Sequence, residues 1–144
     1  MGIRPTFKQT EVKAKIDNYI QDVNTRIEKE LTRLGELCII EMRTNREYID
    51  RTGNLLASTG YVVAKGGVIK RSAGFSKERD TATAGKSEGL GLAKEVMGEY
   101  PQGWVLIVVA GMKYAAHVEA LGKNVLSSAE LVAEKEVRKI LKRL

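Results

Sequence analysis

Few residues in this 144-residue chain are of a type and spacing that could perform chemistry. His117 is the one histidine, Cys38 the one cysteine, and Glu119 stands two positions after the histidine. Residues two apart on a helix point in different directions, so His117 and Glu119 are not a pair by local geometry. One histidine and one distant cysteine supply neither the ligands of a zinc site nor a histidine-based nucleophile, and His117 reads as a surface or interface residue. Ala84-Gly85-Lys86-Ser87 looks like the end of a phosphate-binding loop, but Asp80 occupies the position where that loop begins with glycine. A carboxylate there repels phosphate, and no buried strand leads in. Gly89-Leu90-Gly91 lacks a preceding strand and a third glycine, so it is no dinucleotide fingerprint. The expectation is a chain without catalysis, cofactor or metal.

The remaining chemistry is charge. The formal net charge is +6. Residues 1–50 carry nine basic and nine acidic side chains, so the whole excess lies in residues 51–144. Lys65, Lys70, Arg71, Lys77, Arg79 and Lys86 cluster, against only Glu78 and Asp80. Basic, glycine-containing loops contact phosphate backbones without reading sequence, so DNA is one partner to consider. A solvated loop that maintains solubility explains the same charges. Phe75 is the one aromatic in that segment, too few for a platform on which bases stack.

The elements that must position these residues are legible in the hydrophobic spacing. Ile16, Ile20, Val23, Ile27, Leu31, Leu34 and Cys38 follow steps of three and four, which predicts one long helix from about Glu11 to Tyr48. Ile16, Ile27 and Cys38 are eleven apart, so the stripe stays nearly straight instead of demanding a left-handed coiled coil. Such a stripe must cover a sheet or pair with a neighbouring subunit. Gln9-Thr10-Glu11 offers a capping signal at its start. Cys38 lies among Leu34, Leu37 and Ile39, the surroundings of a small buried hydrophobe, not of a reactive thiol.

Arg51-Thr52-Gly53-Asn54 reads as a turn, Leu55–Val63 as β-compatible, and Lys65-Gly66-Gly67 as a hairpin turn before Val68-Ile69. Residues 70–91 read as a long mobile loop, with a short helix from Ser87 through Met97 beginning inside it. Trp104–Ala110 reads as a strand buried on both faces, running into a short helix after Lys113. A last helix starts at Ser127, where Ser127-Ser128-Ala129-Glu130 has capping-box character. The length suits a single domain, 1–144. No run approaches the roughly 18 apolar residues of a membrane span, and the N-terminus shows no apolar signal region. With one cysteine, the chain reads as intracellular, or as independent of oxidative folding.

Two segments resemble the head–tail joining, or tail-completion, proteins of long-tailed bacteriophages. Members show a Val-Asp-Thr-Gly-x-Leu turn after a long first helix; here Ile49-Asp50-Arg51-Thr52-Gly53-Asn54-Leu55 is similar, with Arg51 inserted, and Ser58 follows. Members also show a strand leading into Tyr-Ala-x-x-Val-Glu, matched by Tyr114-Ala115-Ala116-His117-Val118-Glu119. The family then continues with Phe-Gly-Thr and a Pro-Phe-x-x-Pro-Ala run. This chain departs from it, with Ala120-Leu121-Gly122 and Asn124-Val125-Leu126-Ser127-Ser128-Ala129. The resemblance implies an α+β subunit in which a long N-terminal helix and a C-terminal helix pack on a small, mainly antiparallel sheet with a long mobile loop. It further implies a structural virion protein of the neck, commonly six copies in a ring, with connector and tail-tube proteins as neighbours and DNA passing through the lumen. In that setting Asp50, Thr52, Gly53, Leu55, Tyr114, Ala115, Val118 and Glu119 are structural. Gly53 permits the turn, Tyr114 packs under the sheet, and Glu119 anchors backbone or a basic partner on the neighbouring subunit. The basic segment then faces the lumen or docks a neighbouring ring. The competing expectation is a small basic nucleic-acid-binding protein.

Overall fold

Tyr61, Val62, Val63 and Ala64 are consecutive and all but completely buried, so the strand that carries them is covered on both faces. That strand, β1 (Thr59–Lys65), is the middle of a three-stranded antiparallel sheet in the order β2-β1-β3. The computed structural model describes residues 2–76 and 79–144. Its elements run α1 (Gln9–Thr44), α2 (Asn54–Ala57), β1, β2 (Val68–Gly74), α3 (Gly85–Gly98), β3 (Trp104–Ala110), α4 (Ala115–Ala120) and α5 (Ser127–Arg143). This is the α+β architecture expected from the sequence.

The alternation of side chains along β1 divides the core into two layers. Tyr61 and Val63 face Leu34, Cys38, Ile39 and Met42 of α1, together with Ala129 and Ile140 of α5. Val62 and Ala64 face Ala93 of α3 and the ring of Phe75. β3 feeds the same two layers, Leu106 and Val108 to the first, Ile107 and Val109 to the second. Its unbroken apolar run reflects helices on both faces. Yet β3 is an edge strand, and only Ile107 and Val109 along it are fully buried.

The hairpin is as expected: Gly66 and Gly67 form a two-residue loop, both with positive φ, as a type I′ turn requires. Other expectations need correction. Residues 54–57 are helical, so the β-compatible reading of Leu55–Val63 holds only from Thr59. No long loop spans 70–91, because β2 continues to Gly74 with Lys70 and Arg71 on it, and α3 starts at Gly85 with Lys86 on its first turn. The second hairpin strand was expected only at Val68-Ile69; it continues to Gly74 as an edge strand whose charged residues are exposed, a common protection against edge-to-edge pairing. α3 begins at Gly85, two residues before the expected Ser87, and Gly85 and Gly89 allow it to pack closely. A Cβ at Gly89 would stand 2.4 Å from the Ser58 carbonyl oxygen, and one at Gly111 would stand 2.3 Å from the Gly89 Cα. Phe75 is no loop aromatic free to stack on a ligand: it is buried against Gly60 and Gly89, at a positive φ of 47°.

α1 is about 54 Å long at 1.5 Å per residue, far longer than the sheet it covers. Its stripe therefore meets two fates. Leu31, Leu34 and Cys38 are packed in the core, whereas every residue from Gly2 to Asp22 is exposed. The crossing of α1 over the sheet is tight because Gly35 leaves room for Tyr61. A Cβ at Gly35 would lie 2.5 Å from the Tyr61 ring. Gly35→Ala is therefore expected to lower stability by about 1–2 kcal/mol, overpacking outweighing the gain in helix propensity. Urea unfolding measures this, and a midpoint above that of the parent would show that the ring simply moves aside.

Candidate functional site

The two segments that resemble the phage family lie about sixty positions apart in sequence and meet in space. Tyr48, Ile49, Asp50, Arg51, Thr52 and Leu55 line one side of a cleft of about 320 Å³, and Tyr114 and Val118 line the other. Beneath it, Tyr48, Leu55, Ala115 and Val125 form a third, smaller apolar cluster.

The turn is built by side chains standing in for backbone. Asp50 accepts the Gly53 N–H at 2.9 Å on Oδ1 and the Leu56 N–H at 2.7 Å on Oδ2, which satisfies the open start of α2. Thr52 Oγ1 accepts the Asn54 N–H at 3.2 Å. Gly53 sits at φ 82°, where a Cβ is strained, so this glycine does permit the turn. Asn54 then reaches to the next helix: its Oδ1 accepts the N–H groups of Ala84 and Gly85, each at 3.0 Å. Those are two of the donors a phosphate would need at the start of α3, and they are already taken. The geometry therefore speaks against the Ala84–Ser87 resemblance to a phosphate loop, as does Asp80.

The second segment has a similar logic. Glu119 Oε2 accepts the N–H groups of Val125 at 2.6 Å and Leu126 at 3.0 Å, while Oε1 accepts the Ser127 N–H at 3.0 Å. The Ser127 hydroxyl also donates to Oε1. Glu119 is thus the anchor for backbone that the resemblance implied, and the backbone is its own. It caps α5, with help from Asn124, whose Oδ1 accepts the Ser128 N–H at 3.1 Å. The capping box expected within Ser127–Glu130 does not form; Leu126 occupies the N-cap position. Partial burial raises the Glu119 carboxyl pKa, but the Ser127 hydroxyl and the N–H groups of Leu126, Val125 and Ser127 outweigh it and hold it below the ordinary carboxylate range.

Tyr114 does not pack under the sheet. It is 41% exposed, at the start of α4, beside Asp50 and Thr52. Burial first, then the charge of Asp50, raises its phenol pKa, with the Thr52 hydroxyl acting in the opposite direction. Neighbouring Tyr48 is buried, and its hydroxyl has no hydrogen-bond partner among the described residues. Burial and then Asp50 push it up to about 12. Ile49 is almost fully exposed at the rim, so the cleft is flanked by an uncovered apolar side chain.

The basic residues do not converge on one surface loop. Arg71 pairs with Glu28 of α1 at 3.0 Å, and Lys65 stacks 5.4 Å above the Trp104 ring. Arg79 donates to the Asp50 carbonyl at 2.7 Å, while Thr81 donates to the Thr52 carbonyl at 2.6 Å, so segment 79–81 is tied to the turn. Lys70 and Lys86 are exposed on different elements, and Lys77 lies outside the described residues. His117 is exposed on α4. Cys38 is buried, its Sγ 3.7 Å from the Ala129 carbonyl oxygen; burial, then the Glu41 charge, pushes its thiol up to about 11. Among the described residues, no group of three or more His, Cys, Asp or Glu side chains is placed to hold a metal, and no helix is long and apolar enough to cross a membrane.

Sequence reasoning missed Asn54 because a cap supplied from another element leaves no local pattern, and Asn124 because it stands two positions before the N-cap residue. It also missed Arg79 as a clamp on the turn. No protein-family model, curated protein or solved structure matches the chain.

Glu119→Gln keeps the size but weakens the charge-assisted bonds to three N–H groups, and is expected to cost about 1–2 kcal/mol, the range of a lost helix cap. Since folding lowers the Glu119 pKa, its contribution is complete above the ordinary value of 4.5 and fades as pH falls through the lowered folded value. Stability measured from pH 7 down to pH 3 should converge for parent and variant at the acid end. A difference that stays constant with pH would sink this role for the charge.

Proposed function

We propose that the chain is a structural subunit of the neck of a long-tailed phage or prophage, one copy of a ring that completes the tail or joins it to the head, with no catalytic role. The observation that carries the reading is the bare half of α1. Val12, Ile16, Tyr19 and Ile20 are 37%, 54%, 68% and 51% exposed along one face of a helix that the rest of the chain does not cover. Fully burying one such side chain is worth about 1.5–3 kcal/mol, a gain available only in an assembly. The resemblance of the Asp50–Leu55 and Tyr114–Glu119 segments to tail-completion proteins supplies the kind of assembly. Their meeting at one cleft, with Ile49 exposed at its rim, supports a shared role as a joint. In this reading the ring contacts connector and tail-tube neighbours, and DNA passes its lumen without sequence-specific contact.

The alternative, a nucleic-acid-binding protein, draws less support, because Lys65, Arg71 and Arg79 are engaged with Trp104, Glu28 and the Asp50 carbonyl. Deleting the coding sequence from the phage or inducible prophage that carries it should leave DNA-filled heads without attached tails, as seen by electron microscopy. Normally tailed particles would overturn the reading. The purified chain should also bind DNA weakly; tight binding that falls steeply with salt would favour the alternative.

A further inference from the structure

We infer that the overhanging half of α1 in one copy seats in an apolar groove of the next copy, so that subunits join head to tail. The inference rests on the ring reading above and names the contact that would build the ring. The groove, about 590 Å³, runs between α1, α5 and the outer side of β3, and Leu31, Leu34, Trp104, Leu106, Ala133 and Val137 line it. A second cleft of about 240 Å³ shares Leu31, Trp104 and Val137 and extends the apolar surface to Leu141 and Leu144, both more than half exposed. One chain therefore carries an unpartnered apolar ridge and an unpartnered apolar trough.

The ridge cannot fill its own trough. Both belong to one continuous helix, since Leu31 and Leu34 of α1 line the groove. Val12 lies about 28 Å from Leu31 along the axis, at 1.5 Å per residue, and an unbroken helix does not fold back on itself. The ridge of one copy must meet another copy to be covered, and the trough offers the shape. Charge agrees. At about 100° per residue, Lys13 and Lys15 lie beside the Val12–Ile16–Tyr19–Ile20 stripe, while Glu11, Asp17 and Asp22 lie farther round. The one charged residue lining the groove is Glu130, and Glu134 follows it one helical turn on. Different surfaces on the two partners make the contact heterologous, and such contacts generate rings where the rotation closes.

Cross-linking tests the contact. Ile16→Cys lies on the exposed ridge and Val137→Cys in the groove. Cys38 can stay, because its buried thiol, pushed up to about 11, hardly reacts with a maleimide. Circular dichroism and unfolding of each variant establish that it folds as the parent does. A short bismaleimide added to a mixture of the two single variants should give dimers containing one of each. Added to the double variant, it should give a ladder of linked chains, and Glu130→Lys with Glu134→Lys should reduce both products several-fold. Dimers formed by Ile16→Cys with itself would show ridges paired to each other and overturn the inference. So would the absence of any product at about 1 mM chain, where even a millimolar contact is half occupied. A ladder together with normally tailed particles in the deletion experiment keeps the contact and removes the neck role. Tail-less heads without a ladder does the reverse.

Discussion

The face of Tyr61 resting on the bare backbone of Gly35 sets the geometry on which the other packing relations depend. With no Cβ at that point, α1 approaches the sheet closely enough for Leu34, Cys38, Ile39 and Met42 to share a layer with Tyr61 and Val63. α5 then closes the same layer through Ala129 and Ile140. The opposite face follows a similar rule, where Gly60 and Gly89 admit the ring of Phe75. Glycines at contact points, not loop glycines, fix the distances between layers. Tyr61 also ties the two elements chemically, since its hydroxyl donates to Glu36 at 2.6 Å on the exposed flank of α1.

A second constraint concerns helix ends. At the starts of α2, α3 and α5 the N-cap residue itself supplies no side-chain acceptor, and of the nearby serines and threonines Thr52 alone contributes, to the Asn54 N–H of α2. Asp50, Asn54, Glu119 and Asn124 supply the acceptors instead, each to N–H groups one or more turns away in sequence or on another element. Orphan donors at a helix start must be paired, so these residues determine where α2, α3 and α5 begin. The same arrangement holds the two resemblance segments side by side. What had the look of a recognition motif is, in the first instance, a set of caps.

How far the sequence could be read depended on where the physics is local. The helical stripe of α1 was legible because its period and its one-sided burial express the same thing, and the Gly66-Gly67 hairpin because two positive φ values demand that composition. β2 was legible only at Val68-Ile69, since an edge strand with Lys70 and Arg71 exposed carries no apolar alternation beyond them. α3 was read without its first turn, since the need for Gly85 and Gly89 in close approach to Asn54 and Ser58 is a relation to another element. Tyr114 was misplaced because nothing nearby in sequence announces that Asp50 and Thr52 will stand beside it. Glu119 bonds to backbone, one of the two roles the resemblance left open, and which backbone depends on a chain reversal that only the fold supplies.

The half-anchored α1 makes the molecule a lever. Its last fastening to the sheet is Asn24, whose side-chain oxygen accepts the Trp104 indole N–H at 3.0 Å, and the free arm from Gln9 to Asp22 beyond it is about 21 Å long. A tilt of about five degrees about that fastening moves the tip by about 2 Å, close to half the spacing between neighbouring strands. Small adjustments in the core are thereby converted into large changes of reach, with no bending of the helix itself. A protein of this shape can accommodate partners at slightly different distances while its sheet stays fixed, and its mechanical gain is set by the length of one uninterrupted helix.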